Sequence, residues 1–278
     1  MSTQTYDFEG IGTHWWLERL DGGQFDQKLR AKLTATLEQF DQRYSRFRED
    51  SLVAELLRTG VVKNPPEEML EMLAFAKEMY RVSQGAFDIT VGNTLHQFGY
   101  GKRAIAKARH DTSTFWDDII ITPQEIRYPD GVMLDFGGFG KGWLIELFSE
   151  DMRDAGVAEF IVNGGGDLYV QSSTPVEFAL QDPHDETMGI GSVSIAVGSL
   201  AASSTIKRVW QDGNQKKHHI IDPRLKDSSR TSVIASFVVA DRALIADTLA
   251  TILILRPTLE PLLVQKYGVQ VKLIRDTS

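Results

Sequence analysis

The alternation of apolar and polar positions divides the chain into helical and extended stretches. Between residues 25 and 43, Leu29, Leu33, Leu37 and Phe40 stand four, four and three apart, which is one face of a helix. Asn64-Pro65-Pro66-Glu67-Glu68 opens a second helix, since proline near the start and acids in the first turn suit its positive end. Met69, Leu70, Leu73, Ala76 and Met79 form its buried stripe, and Gly85 ends it. A third helix follows Lys141, with Leu144, Leu147, Phe148 and Met152 on one side and Gly156 as its stop. A fourth runs from about Asp241 to Leu255 and is closed by Arg256-Pro257.

Elsewhere the period drops to two. β-rich runs occupy 117–122, 158–163, 166–171, 176–181, 192–197, 205–210, 217–221, 232–239 and 268–274. Several follow one another without a helix between them, so antiparallel pairing dominates the second half. The expected class is α+β, a largely antiparallel sheet flanked by helices. No repeat, low-complexity tract or proline-rich linker cuts the chain, and residues 1–278 read as a single domain.

Composition narrows the function. Hydrophobic residues make up 42% and charged residues 24%, as in an ordinary globular protein. A net charge of −8 argues against a nucleic-acid partner held by a basic face. An acidic protein that takes an anionic ligand needs local compensation from a metal, backbone amides or a few placed cations. Cysteine is absent, which removes disulfides, thiolate chemistry, cysteine–zinc sites and a lipoprotein anchor. The N-terminus lacks a basic segment followed by an apolar run, and the longest apolar stretch, Leu249 to Leu255, is far too short for a membrane span. The expectation is a cytoplasmic protein without a membrane anchor.

Five segments carry more than structure. In Leu134-Asp135-Phe136-Gly137-Gly138-Phe139-Gly140-Lys141-Gly142, four glycines fall within six residues just before a helix. Such a backbone can approach a ligand closely, and the helix N-terminus offers amides to phosphate. Gly142 stands where a P-loop needs Ser or Thr, and Trp143 where a dinucleotide fingerprint needs glycine, so neither motif fits; a tight turn with a helix cap also explains it. Asn163-Gly164-Gly165-Gly166-Asp167 lies between two apolar strands, as a hairpin turn or as a set of groups for hydroxyls or a nucleotide. In Phe87-Asp88-Ile89-Thr90, the two polar residues share one side of an extended run.

His218-His219-Ile220-Ile221-Asp222-Pro223-Arg224 reads as a strand entering a turn, its two histidines on opposite sides. In the fourth helix Asp247 and Thr251 lie one above the other among apolar neighbours. A buried carboxylate there needs either a hard cation held by oxygen donors or an arginine or lysine from elsewhere in the chain.

Taken in order, these segments resemble the ApbE family, the FAD:protein FMN transferases. Gly10-Ile11-Gly12-Thr13 is similar to the family's opening strand, and Tyr44-Ser45-Arg46-Phe47-Arg48-Glu49-Asp50-Ser51 to its Ser-x-aromatic, then Asp-Ser, segment. The Phe-Asp-x-Thr, Asp-x-Gly-Gly-x-x-Lys-Gly, Asn-x-Gly-Gly-Asp, His-x-x-Asp-Pro and Ala-Asp-x-x-x-Thr segments follow in family order. Leu225-Lys226-Asp227 stands where the family usually has Thr-Gly, and Ser203-Ser204 where it usually has Ser-Gly.

The resemblance implies a T-fold-like core and a Mg²⁺-dependent enzyme that cleaves FAD and releases AMP. FMN would be esterified to a Thr or Ser in the flavinylation motif of an acceptor protein. By the same resemblance, metal ligands fall on Asp247, Thr251 and the Gly140 carbonyl. FAD-binding positions fall on Asp88, Thr90, Asp135, Lys141, Asn163, Gly165, Gly166, Asp167 and Asp222. His219 and Asp247 are the catalytic positions, with His219 near the transferred phosphate. A metal-dependent FAD pyrophosphatase and a non-catalytic flavin-binding protein remain open beside the transferase.

Overall fold

A computed structural model of the chain describes residues 4–100, 116–129, 131–212 and 215–276. Seven α-helices are described, α1 (Gln27–Tyr44), α2 (Leu52–Thr59), α3 (Glu67–Val82), α4 (Gly92–Gln97), α5 (Gly140–Asp154), α6 (Ala243–Leu255) and α7 (Glu260–Tyr267). The strands are β1 (Gln4–Gly10), β2 (Thr13–Arg19), β3 (Val61–Lys63), β4 (Ile120–Ile121), β5 (Glu125–Arg127), β6 (Phe160–Gly164) and β7 (Asp167–Gln181). They continue with β8 (Gly189–Ser204), β9 (Val209–Asp212), β10 (Gln215–His218), β11 (Ile221–Asp222), β12 (Asp227–Ser228), β13 (Val233–Ala240) and β14 (Gln270–Arg275). The class is α+β, as the periodicity predicts. Two compact units result. The first takes the chain up to Asp41, 137–206 and the part from Ser232 onward, and the second takes Gln42–Phe136 and Lys207–Thr231.

The first unit is built on a seven-stranded sheet in the order β1-β2-β6-β7-β8-β13-β14, antiparallel at every pairing. The order follows the chain, interrupted twice by the segments that form the second unit. Pleating sends alternate residues to opposite faces. One face carries Trp15, Leu17 and Val162, all fully buried, and its edge-on contact between Trp15 and Phe148 of α5 has ring centroids 5.0 Å apart. The other face gathers Ile161, Leu168, Val170, Leu200, Ala235 and Phe237 with Leu180 and Ile195. The last two come from the far half of the long β7–β8 hairpin, beyond a register shift after Gln171.

In the second unit, Ser51 caps α2 by accepting the Ala54 N–H at 3.0 Å, and Gly60 ends it in the left-handed conformation. The helix buries Val53, Leu56 and Leu57, while α3 buries Met69, Met72, Leu73 and Met79. A three-stranded sheet in the order β3-β5-β4 and two short hairpins, β9–β10 and β11–β12, complete the unit. Among the described residues no helix is long and apolar enough to cross a membrane.

Several sequence expectations are corrected. Gly10-Ile11-Gly12-Thr13 is not one strand: Gly10 ends β1, Thr13 begins β2, and Ile11-Gly12 is the turn between them. Ile11 and Gly12 both take positive φ, 44° and 75°, as a tight hairpin turn of that hand requires. Asp88 and Thr90 do not share an extended run, because Asp88 caps a turn of 3₁₀ helix, Ile89–Val91, that leads into α4. The run at 117–122 is a 3₁₀ turn, Trp116–Asp118, followed by β4. Residues 205–208 form no strand, and 217–221 is split between β10 and β11. The runs at 166–171 and 176–181 join into one strand, β7. Helices α2, α4 and α7 are short and were not expected, for six to eight residues hold too few turns to display a periodic stripe.

Two substitutions probe these backbones. A Cβ on Gly142 would lie 2.6 Å from the Ala243 carbonyl oxygen, so α5 meets α6 backbone to side-chain-free backbone. Gly142→Ala is expected to destabilise the fold by about 1–3 kcal/mol in chemical denaturation, although the same change on an exposed helix stabilises it. Lys226 sits at φ 51° in the β11–β12 turn, where the family usually has glycine. Lys226→Gly is expected to raise stability by about 0.5–1 kcal/mol in the same measurement.

Candidate active site

The first unit brings together three residues from distant parts of the chain. Asp247, on α6, is 3% exposed and accepts the Gly142 N–H on Oδ2 at 2.9 Å and the Lys141 ammonium on Oδ1 at 3.0 Å. The same ammonium pairs with Asp167, which is also 3% exposed. Asp167 is fixed in turn by the Ala202 N–H, 2.9 Å from its Oδ1. Of the two ways to compensate Asp247 that the sequence leaves open, the lysine is present in this chain. Burial alone would lower the pKa of Lys141, but Asp167 and Asp247 outweigh it and hold the ammonium above its ordinary range. Burial pushes the Asp247 carboxyl up to about 6, against the pull of Lys141.

Local sequence explains the geometry. Glycine at 142 lets the first turn of α5 come close enough for its amide to reach Asp247. That amide is therefore taken by protein and is not offered to a ligand, as the glycine-rich segment suggested. Arg242 provides no side-chain cap for α6; instead Glu146 of α5 accepts the Leu244 N–H at 3.0 Å and pairs with Arg242. Thr251, one turn beyond Asp247, has its Oγ1 3.1 Å from the Ser203 hydroxyl on β8.

The Asn163–Asp167 segment is the hairpin turn between β6 and β7, with Gly165 and Gly166 at φ 67° and 100°. Asn163 closes the turn by accepting the Gly166 N–H at 2.9 Å. The register pairs Gly164 with Asp167 and Asn163 with Leu168, so Asn163 and Asp167 leave on opposite faces of the sheet. Asp167 shares the helix-covered face with Trp15 and Leu17, and Asn163 does not.

Gly140, Asp247 and Thr251 offer a carbonyl, a carboxylate and a hydroxyl, with Asp167 nearby through their shared lysine. Among the described residues no group of three or more histidine and acidic side chains could hold a metal. The donor chemistry nevertheless fits Mg²⁺, a hard cation that takes one or two carboxylates and fills its shell with water and substrate oxygens.

In the second unit the polar candidates are turned inward. Asp88 Oδ1 accepts both the N–H and the hydroxyl of Thr90, each at 2.9 Å, and both residues are buried. Burial raises the pKa of Asp88 against those bonds. Its other oxygen, Oδ2, makes no hydrogen bond of good geometry, although the Trp116 side chain lies close enough to pull the pKa back down. Asn93 staples α4 to the following segment, donating to the Gly131 carbonyl at 2.9 Å and accepting the Met133 N–H at 2.7 Å. Asp135 is held there by its own N–H on the Ile89 carbonyl, 2.7 Å away.

Asp135 pairs with Arg46, a buried arginine that sequence reasoning missed as a site residue. The guanidinium also donates to the Tyr100 carbonyl at 3.0 Å and lies 4.2 Å from the Phe47 ring centroid. Tyr100 stacks with both Trp210 and His219, ring centroids 5.3 and 6.4 Å away. The order of the residues gives no sign of this, because 46, 100, 210 and 219 belong to four separate segments. Its neighbour His218 approaches the Ser229 carbonyl at 3.1 Å, and burial lowers its pKa. Asp222, 3% exposed, is neutralised by Arg224, whose Nε lies 2.8 Å from Oδ1.

Several known proteins are similar to this chain in sequence or fold. A FAD:protein FMN transferase of Rhodobacter capsulatus is 27% identical over 66% of this chain, a match spanning only 38% of that protein's length. One of Klebsiella pneumoniae is 24% identical over 96% of this chain and 83% of its own. The ApbE protein of Thermotoga maritima superposes with a TM-score of 0.85 at 19% identity, covering 99% of this chain and 97% of its own. The flavin transferase ApbE of Vibrio cholerae gives 0.82 at 20% identity, with 100% and 94% covered. These last two establish a shared fold. The model of the ApbE family matches residues 11–271, almost the whole length, and the chain belongs to that family.

Proposed function

We propose that this chain is a Mg²⁺-dependent FAD:protein FMN transferase. It cleaves the pyrophosphate of FAD, esterifies FMN to a Thr or Ser hydroxyl of an acceptor protein, and releases AMP. The observation that carries the reading is the Lys141–Asp167–Asp247 cluster. Lys141 and Asp247 are 106 positions apart, belong to separate motifs similar to the family's, and meet in the fold.

FAD brings a dianionic pyrophosphate to a protein of net charge −8, so its binding depends on local cations. Bound at Asp247, Thr251 and the Gly140 carbonyl, Mg²⁺ would neutralise charge on the phosphate oxygens and the leaving AMP. Lys141, held in place by Asp167, directs its remaining N–H donors to the same oxygens. Asp167 and Asp247 do not bind the anion themselves; they hold the groups that do. Gly166 admits substrate close to the backbone, because the space a side chain would take is open, whereas Gly165 makes room for the Thr13 side chain and offers its backbone alone. Asn163, Asp88, Thr90, Asp135 and Asp222 are proposed as the remaining FAD contacts.

In the transfer step the acceptor's hydroxyl oxygen bonds to the FMN-side phosphorus as the bond from that phosphorus to the AMP oxygen breaks. The hydroxyl proton passes to His219, and AMP leaves as the phosphate monoester. Enzymes of this kind work chiefly by positioning and by neutralising charge. The stack on Tyr100 fixes the His219 ring plane for that role.

Incubation of the pure protein with FAD, Mg²⁺ and a peptide carrying a flavinylation motif is expected to give a peptide heavier by one FMN, with one AMP per label. Intact mass and an AMP assay read it, and Asp247→Ala is expected to abolish both products. AMP and free FMN without a labelled peptide would replace the transferase reading with a pyrophosphatase. His219→Ala is expected to keep FAD affinity within a few-fold, measured by flavin fluorescence, while transfer falls roughly 10²–10⁴-fold. Loss of binding in that variant would make His219 structural.

A further inference from the structure

The Lys141 ammonium and the metal proposed above compete for the same oxygen. Asp247 has two carboxylate oxygens: Oδ2 accepts the Gly142 amide at 2.9 Å and Oδ1 accepts Lys141 at 3.0 Å. The amide belongs to α5, whose first turn is pressed against α6 where no Cβ could fit, so Oδ2 is committed by the backbone. Only Oδ1 can change partner, because only its partner is the end of a flexible side chain. A dication on Oδ1 would stand within a few ångströms of the ammonium, in a region where both carboxylates are 3% exposed and water screens little.

The second carboxylate makes exchange possible. Lys141 bridges two aspartates rather than one, and Asp167 is anchored independently by the Ala202 amide. An ammonium that lets go of Asp247 is therefore still paired. We propose that Lys141 is the internal counter-ion of the metal-free site, and that a divalent cation binds Asp247 by displacing it onto Asp167 alone.

This rests on the metal reading above and adds a consequence for the order of events. With Lys141 bridging, the site is closed to the cation, and one ammonium offsets half the charge of its two carboxylates. After exchange, one ammonium and one dication face two carboxylates, and the surplus positive charge suits an anionic pyrophosphate. Metal entry and the availability of Lys141 to substrate phosphate are thus one event. The chain holds its acidic core together without metal and becomes cationic only when metal arrives.

The test needs no turnover. Mn²⁺, which accepts the same hard oxygen ligands, is titrated into FAD-free full-length protein and followed by the loss of the free-ion EPR signal. Lys141→Met removes the competitor, and Mn²⁺ is expected to bind it roughly ten- to a hundredfold more tightly than wild type. Unchanged or weaker binding in Lys141→Met, including no detectable binding in either protein, overturns the exchange.

Asp247→Asn, alone and combined with Lys141→Met, separates the two ideas. If Mn²⁺ binding survives it, the metal reading itself fails. If binding is lost in Asp247→Asn yet Lys141→Met equals wild type, only the exchange fails. Should Lys141→Met not fold, wild-type protein decides by reductive methylation with peptide mass readout. Lys141 is expected to be labelled several-fold faster with Mg²⁺ than without, and equal labelling overturns the proposal.

Discussion

Two carboxylates buried within reach of one lysine are the constraint around which the first unit is arranged. An isolated buried charge costs several kcal/mol, and two of the same sign are worse. Lys141 makes the pair tolerable and in doing so joins the start of α5, the start of β7 and the middle of α6. The surrounding details serve that junction. Glycine at 142 allows the helices to touch, Glu146 of α5 completes the end of α6 that its own sequence leaves uncapped, and the Ala202 amide of β8 steadies Asp167. None of these is a ligand contact. They set the spacing on which ligand contacts depend.

Much of this was legible in the sequence because it is periodic. The stripes of α1, α3, α5 and α6 are long enough to identify, and Asp247 with Thr251 stands out on a helix whose remaining residues, Thr248 apart, are apolar. Lysine was one of two partners for Asp247 that chemistry allows; which lysine could not be read, because the pair is closed by tertiary contact. The turn at Asp88 was missed for a local reason. An aspartate that accepts two bonds from the residue two positions on favours a tight turn over the extended run that alternation suggests. The opposite facings of Asn163 and Asp167 follow from register, which glycine-rich segments specify weakly.

The second unit uses polar residues differently. Arg46, Asp88, Asn93 and Asp222 are all buried, and each makes contacts within the unit. Short elements such as α4 and the two-residue strands have few apolar side chains to bury, so side-chain bonds to loop backbone carry more of the order. The functional candidates in this unit are thereby also its fasteners. Substitutions there will disturb position as well as chemistry.

The interrupted order of the sheet has a bearing on how the protein is made. Arg19 at the end of β2 pairs with Phe160 at the start of β6, and everything between them must be spanned before the central strands meet. The entropy of closing such a loop grows only with the logarithm of its length, so the final stability loses little. Rate is another matter, since long-range strand pairing slows folding. During synthesis the β1–β2 hairpin emerges well before β6, and the β2 edge that β6 will take waits until β6 has left the ribosome. That hairpin carries the half-exposed Trp16 and several charges, among them Asp7, Glu9 and Glu18, which guard the waiting edge against the wrong partner.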